Sequence, residues 1–153
     1  MRRVEREVSI RSVVATTFAG KAEEGERPME APARNLVGKN LGSPDETRSF
    51  DKGKMEVVTL DNVTVGRAVF ESGWKWSECV KPVAGTDSCQ VPHVGYVVSG
   101  RINVVMDDGQ EQEYGPGDAV VIPPGHDAWT VGDEACVMLD FAGADEYARG
   151  ARS

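Results

Sequence analysis

Gly117-Asp118-Ala119-Val120-Val121-Ile122-Pro123-Pro124-Gly125-His126 reads as a short β-strand that runs into a Pro-Pro-Gly turn and ends on a histidine. The chain contains two histidines. The other, His93, opens a second apolar run, His93-Val94-Gly95-Tyr96-Val97-Val98-Ser99-Gly100, whose terminal glycine starts a hairpin into Arg101 to Met106. Both histidines stand at strand mouths bordered by turn residues. That placement predicts a shared position at one end of a β-fold.

Outward from these two runs, the chain from Met55 onward repeats short apolar stretches of period two, each closed by Gly, Pro, Asn or Asp. Strands are predicted at Met55 to Leu60, Val63 to Phe70, His93 to Val98, Arg101 to Met106, Gln110 to Tyr114, Ala119 to Ile122, Ala128 to Val131 and Ala135 to Phe141. Asp61-Asn62 and Asp107-Asp108-Gly109 suit tight hairpins because Asn, Asp and Gly tolerate positive φ. Pro82, Pro92, Pro116, Pro123 and Pro124 all fall where no ladder donor is missed. Only Ala144 to Arg149 offers a helical pattern. The expected fold is all-β, a single antiparallel barrel or sandwich.

A chain of 153 residues suits one domain with a real core. Its net charge of -8 argues against a phosphate-binding surface, so no nucleic-acid partner is expected. No run approaches the length of a membrane span, and the expectation is a cytoplasmic protein without membrane association. Cys79, Cys89 and Cys136 are an odd number with no disulfide framework, which fits reduced thiols. Residues 1–38 form an N-terminal extension expected to be poorly ordered, since Lys21 to Pro32 is a polar run that buries little apolar surface. Val13 to Ala19 is a poor mimic of a signal peptide, being short and interrupted by threonines, and Met29 is a second candidate start. Residues 39–143 carry the barrel and residues 144–153 a C-terminal tail.

Over roughly Lys39 to Phe141 the chain resembles the cupin superfamily of small jelly-roll β-barrels. Gly117, Pro123 and Gly125 match the second family motif, whose histidine position is Ala128 here, with His126 two residues earlier. Counting back from Gly100 in the first motif, His93 takes the glutamate position, and Asp87 and Cys89 take the two histidine positions. The resemblance implies a cupin-like jelly-roll barrel with an altered metal site formed by His93, His126, Cys89 and Asp87. Thiolate, imidazole and carboxylate together favour Zn²⁺ as the divalent metal, with iron, manganese and nickel left open.

Each candidate also has a plainer reading. His93 and His126 can be hydrogen-bonded residues at strand ends, Cys89 a small buried hydrophobe, and Asp87 a turn-forming carboxylate. Cys136 alternates with core residues and carries no chemistry of its own, whereas Cys79 follows a Trp-rich segment near the first motif. Trp74, Trp76, Glu78 and Trp129 are candidates for a ligand pocket, because aromatic walls with a few polar groups hold small organic molecules. Tyr96 lies on the strand face opposite His93. Two functions follow: a small-molecule-binding cupin with a divalent metal at the barrel mouth and an unassigned reaction, or a non-catalytic sensor that has lost the family metal site. The barrel's uncovered edge predicts a homodimer.

Overall fold

A computed structural model describes residues 35–148. Expectations for the N-terminal extension before residue 35 and for residues 149–153 lie outside the described residues. The order of elements is β1 (Glu46–Phe50), β2 (Gly53–Leu60), β3 (Val63–Phe70), α1 (Trp76–Cys79), α2 (Lys81–Ala84), β4 (His93–Ser99), β5 (Ile102–Met106), β6 (Glu111–Tyr114), β7 (Ala119–Ile122), β8 (His126–Thr130) and β9 (Cys136–Asp140). The strands form a six-stranded sheet, β1-β2-β3-β9-β4-β7, and a three-stranded sheet, β6-β5-β8. Every pairing is antiparallel. The fold is all-β, as the period-two pattern implies.

The Pro-Pro-Gly turn is what brings the two sheets' ends together. Ile122, the last residue of β7, pairs with His93 at the start of β4 in the large sheet. Pro123-Pro124-Gly125 then carries the chain into β8 of the small sheet, which begins on His126 and pairs with Met106. Proline's fixed φ stiffens the crossing, and Gly125, at φ +90°, makes its last bend. A side chain there would also be blocked, since a Cβ on Gly125 would lie 2.9 Å from Asp107 Oδ2.

Four local expectations are corrected. Strand β1, Glu-Thr-Arg-Ser-Phe, has no apolar alternation to betray it, and it forms because it pairs along its whole length with β2 around a turn at Asp51-Lys52. The segment after Gly73, where no helix is expected, holds α1 and α2, each too short for a helical period to show; Trp76, Cys79 and Val80 turn inward together. Strand β8 starts at His126 rather than Ala128, because His126 is already held by pairing on both sides. Residues 144–148 form turns, not a helix.

Those turns bring Ala144 and Tyr147 back into the core. There Phe70 stacks on Trp74 with centroids 4.0 Å apart, and Tyr147 meets Phe50 edge-on at 5.9 Å. The returning segment is held by Arg48, the one inward-facing charge of β1. Its Nη1 donates to the carbonyls of Ala144 at 2.6 Å and Tyr147 at 2.7 Å, while Nε donates to Glu46. Replacing Arg48 with Ala would leave two buried carbonyls without their donor and is expected to lower unfolding stability by about 1–3 kcal/mol. Urea unfolding measures this as a lower midpoint at unchanged slope. A change below about 0.5 kcal/mol would show that Arg48 does not hold the segment.

Candidate metal centre

Cys89, His93 and His126 converge, with one ligating atom of each lying within 4.8 Å of the others. Backbone pairing enforces this. Cys89 N–H donates to the His126 carbonyl at 2.8 Å, and the Cys89 carbonyl accepts from Gly125 N–H at 2.7 Å and from His126 N–H at 3.3 Å. Residues bridged in this way hold their Cβ atoms about 5 Å apart. His93 follows Cys89 by four residues and places Nε2 3.8 Å from Cys89 Sγ.

Both imidazoles have one nitrogen committed to the protein. His126 Nδ1 lies 2.7 Å from the Pro123 carbonyl, which can only accept, so Nδ1 donates there and Nε2 is the ring atom left to face Cys89. His93 Nδ1 lies 2.5 Å from Asp140 Oδ2. A histidine oriented through its far nitrogen by a carboxylate or a carbonyl is the usual outer support of a metal ligand.

Burial pushes the Cys89 thiol up, but hydrogen bonds from His126 and His93 outweigh it and bring the thiol down to about 6. His93 is lowered by burial, yet its bonds to Asp140 and Cys89 dominate and hold it at about 9. These two shifts describe one coupled event, a thiolate beside an imidazolium, in which a cation can replace the proton. Asp140 is pushed up by burial and pulled below its ordinary range by His93 and by the amides of Gly143 and Ala142.

His93 and His126 line a cavity of about 40 Å³ with Trp74, Trp76, Phe70, Ile102, Asp140 and Tyr147, and Cys89 lines a second one of about 280 Å³ that shares Trp76 and Tyr147. Ala128 also lines the first, sharing the inward face of β8 with His126, so the two-residue offset preserves the facing. Trp74 Nε1 and the Tyr147 hydroxyl are buried without a hydrogen-bond partner among the described residues. Burial holds the Tyr147 phenol well above its ordinary value, so the hydroxyl keeps its proton.

Other expected site residues lie elsewhere. Asp87 is fully exposed in the loop after α2, 3.7 Å from Lys81 Nζ, and does not join the cluster. Glu78 sits on the solvent side of α1. Trp129 alternates out of phase with His126 along β8 and faces away from the cavity beside the histidines, with Lys75 Nζ 5.6 Å from its ring centroid; together with Trp74 and Glu78 it lines a separate surface pocket. Cys79 is buried in α1 beside Asp51, and its thiol is pushed up by burial. Cys136 is wholly buried and pushed up to about 12. Of the expected pocket residues, Trp74 and Trp76 do line the cavity.

Two contributors escaped the sequence reading. Asp140 shares the inward face of β9 with Cys136 and Met138, so a carboxylate closing an apolar period-two face was the available signal. Tyr147 lies beyond the last strand and has no comparable mark.

The family model described as Cupin domain matches residues 87–142. A structure of unknown function from Rhizobium leguminosarum bv. viciae is similar at 20% identity and a TM-score of 0.52, covering 71% of this chain and 97% of its own. The polyketide cyclase RemF from Streptomyces resistomycificus is similar at 18% identity and a TM-score of 0.52, covering 78% of this chain and 87% of its own. No curated protein matches the chain.

Because burial raises Cys79 and Cys136 while the histidines lower Cys89, one thiol alone is expected to ionise near pH 6 in metal-free protein. Ultraviolet thiolate absorbance followed against pH tests this, and Cys89→Ser should abolish the step. A wild-type titration with no step below pH 8 would refute the thiolate–imidazolium pair.

Proposed function

We propose, from a cupin-superfamily fold that presents three convergent donors, that this protein binds a divalent metal through Cys89, His93 and His126 and uses it to hold a small molecule. The observation that carries this reading is the commitment of both Nδ1 atoms, to Asp140 and to Pro123, which leaves ligating atoms free to face Cys89. The 3.8 Å between Cys89 Sγ and His93 Nε2 agrees with the roughly 3.6–3.8 Å expected of thiolate and imidazole bound to one zinc ion. One sulfur and two nitrogens favour zinc over an oxygen-activating metal, and three protein ligands leave a position for water or substrate. When bound, the metal would supply Lewis acidity and lower the pKa of a water molecule.

The protein's own groups do the rest. Asp140 fixes the tautomer and rotation of His93, Pro123 does the same for His126, and the aromatic walls exclude solvent. A second reading rests on the file Cys89 Sγ, His93, Asp140, which has the order of a nucleophile, base and orienting acid. Metal binding and a free nucleophile exclude each other, so metal content separates them. Binding without turnover, as in a sensor, would use the same residues with no reaction.

The two sheets are read as walls of one jelly-roll barrel, and the three free cysteines favour a reducing, cytoplasmic setting. Among the described residues, no helix is long and apolar enough to cross a membrane. Homodimerisation is proposed through the β4/β7 face. Val94 pairs with Val121 there and both are exposed, beside Tyr96 and the open edge of β7.

Plasma mass spectrometry of protein purified without chelator is expected to find near-stoichiometric metal that a His93→Ala/His126→Ala double variant lacks. Asp140→Asn should weaken metal affinity by about 10–100-fold without removing a ligand. Wild-type protein that takes up no zinc, iron, manganese or nickel on reconstitution would overturn the metal reading, and stoichiometric alkylation of Cys89 would then favour the nucleophile. Light scattering at micromolar concentration should show a dimer that Val121→Glu converts to monomer. A monomeric wild type rejects the dimer.

A further inference from the structure

Trp74 and Tyr147, far apart in the chain, line the same cavity, and each buries a donor that no group among the described residues accepts. Trp74 is 2% exposed and Tyr147 3%. Their rings are set by packing, not by polar contacts. Trp74 stacks on Phe70, and Tyr147 lies against Phe70 at 6.3 Å and against the His93 ring at 5.5 Å. A buried donor without an acceptor destabilises a fold, and a phenylalanine could fill either ring position with no such penalty. Two such donors, on residues that line one small cavity, call for an acceptor that enters from outside.

We propose that Trp74 Nε1–H and the Tyr147 hydroxyl form an oxygen-binding subsite for a small monocarboxylate held beside the metal at Cys89, His93 and His126. This deepens the metal reading and rests on it. A dication bound by one thiolate and two neutral imidazoles keeps one positive charge at the metal, where a carboxylate oxygen can bind, while the Asp140 carboxylate offsets it beyond His93. The two donors then bind carboxylate oxygen, while Met55, Phe70 and Ile102 leave the remaining wall apolar. A free volume of about 40 Å³ has room for a ligand of the size of formate or acetate.

The test uses full-length protein, Tyr147→Phe and two isosteric probes, acetate and acetamide, titrated by calorimetry into zinc-loaded samples whose zinc content is measured first. Acetate is expected to bind at least about ten-fold more tightly than acetamide, and Tyr147→Phe to weaken acetate at least about ten-fold, the loss of one hydrogen bond to a charged acceptor. Zinc uptake by the variant should equal that of wild type. Without probe, Tyr147→Phe should melt at or above the wild-type temperature, since it removes an unsatisfied donor; a lower melting temperature would show that the hydroxyl serves the fold and overturn the subsite. Normal zinc uptake with acetate affinity unchanged by the variant would also overturn the subsite while leaving the metal reading standing. Failure of wild-type protein to take up zinc would overturn both.

Discussion

A buried carboxylate organises this molecule. Asp140, at the end of β9, accepts from His93 Nδ1 and from the backbone amides of Ala142 and Gly143. An ionised carboxylate with a 7% exposed side chain would be costly to bury alone, and three donors offset that penalty. The same contacts fix three things together: the tautomer of a site histidine, the registry between the start of β4 and the end of β9, and the turn that sends the chain back over the core. That turn leaves no spare room, since a Cβ on Gly143 would lie 2.6 Å from His93 Nδ1.

The consequences run to the far edge of the large sheet. After Gly143 the chain brings Ala144 and Tyr147 under Arg48 of β1, so the edge strand, the C-terminal return and the cavity wall form one connected unit. The ligand cluster is supported from the other side by the Cys89–His126 backbone bridge, which joins the loop before β4 to the small sheet. Two independent devices therefore position the three donors, one a side-chain ion pair and one a pair of backbone hydrogen bonds. Such rigid support is what a functional site requires, because small displacements of a ligand atom change its chemistry.

The site also carries local penalties that a purely structural core would avoid. It buries a thiol driven toward its anion, an imidazole held charged, and two donors left without acceptors. Real proteins concentrate such violations of local rules at functional sites. The fold itself does not name the reaction, since one architecture hosts unrelated activities and only the arrangement of side chains discriminates among them.

Much of this was legible along the chain. Period-two runs bounded by Gly, Pro, Asn and Asp located all but one strand, because alternation reports directly which face of a strand is buried. The turn at Pro123-Pro124-Gly125 and the spacing from Cys89 to His93 placed three donors near one another, and the parity of β8 put His126 and Ala128 on one face. The same parity, applied to Trp129, separates it from the cavity beside the histidines and leaves it with Trp74 and Glu78 on a surface pocket. What tertiary structure alone decided were contacts between residues far apart in sequence. Arg48 with residues 144 and 147, Asp140 with His93, and the phenol of Tyr147 in the cavity all depend on how the sheets and the returning C-terminal segment pack. A local pattern records burial and turn chemistry, which neighbouring residues determine; it carries no record of which distant group will lie 3 Å away once the chain has folded.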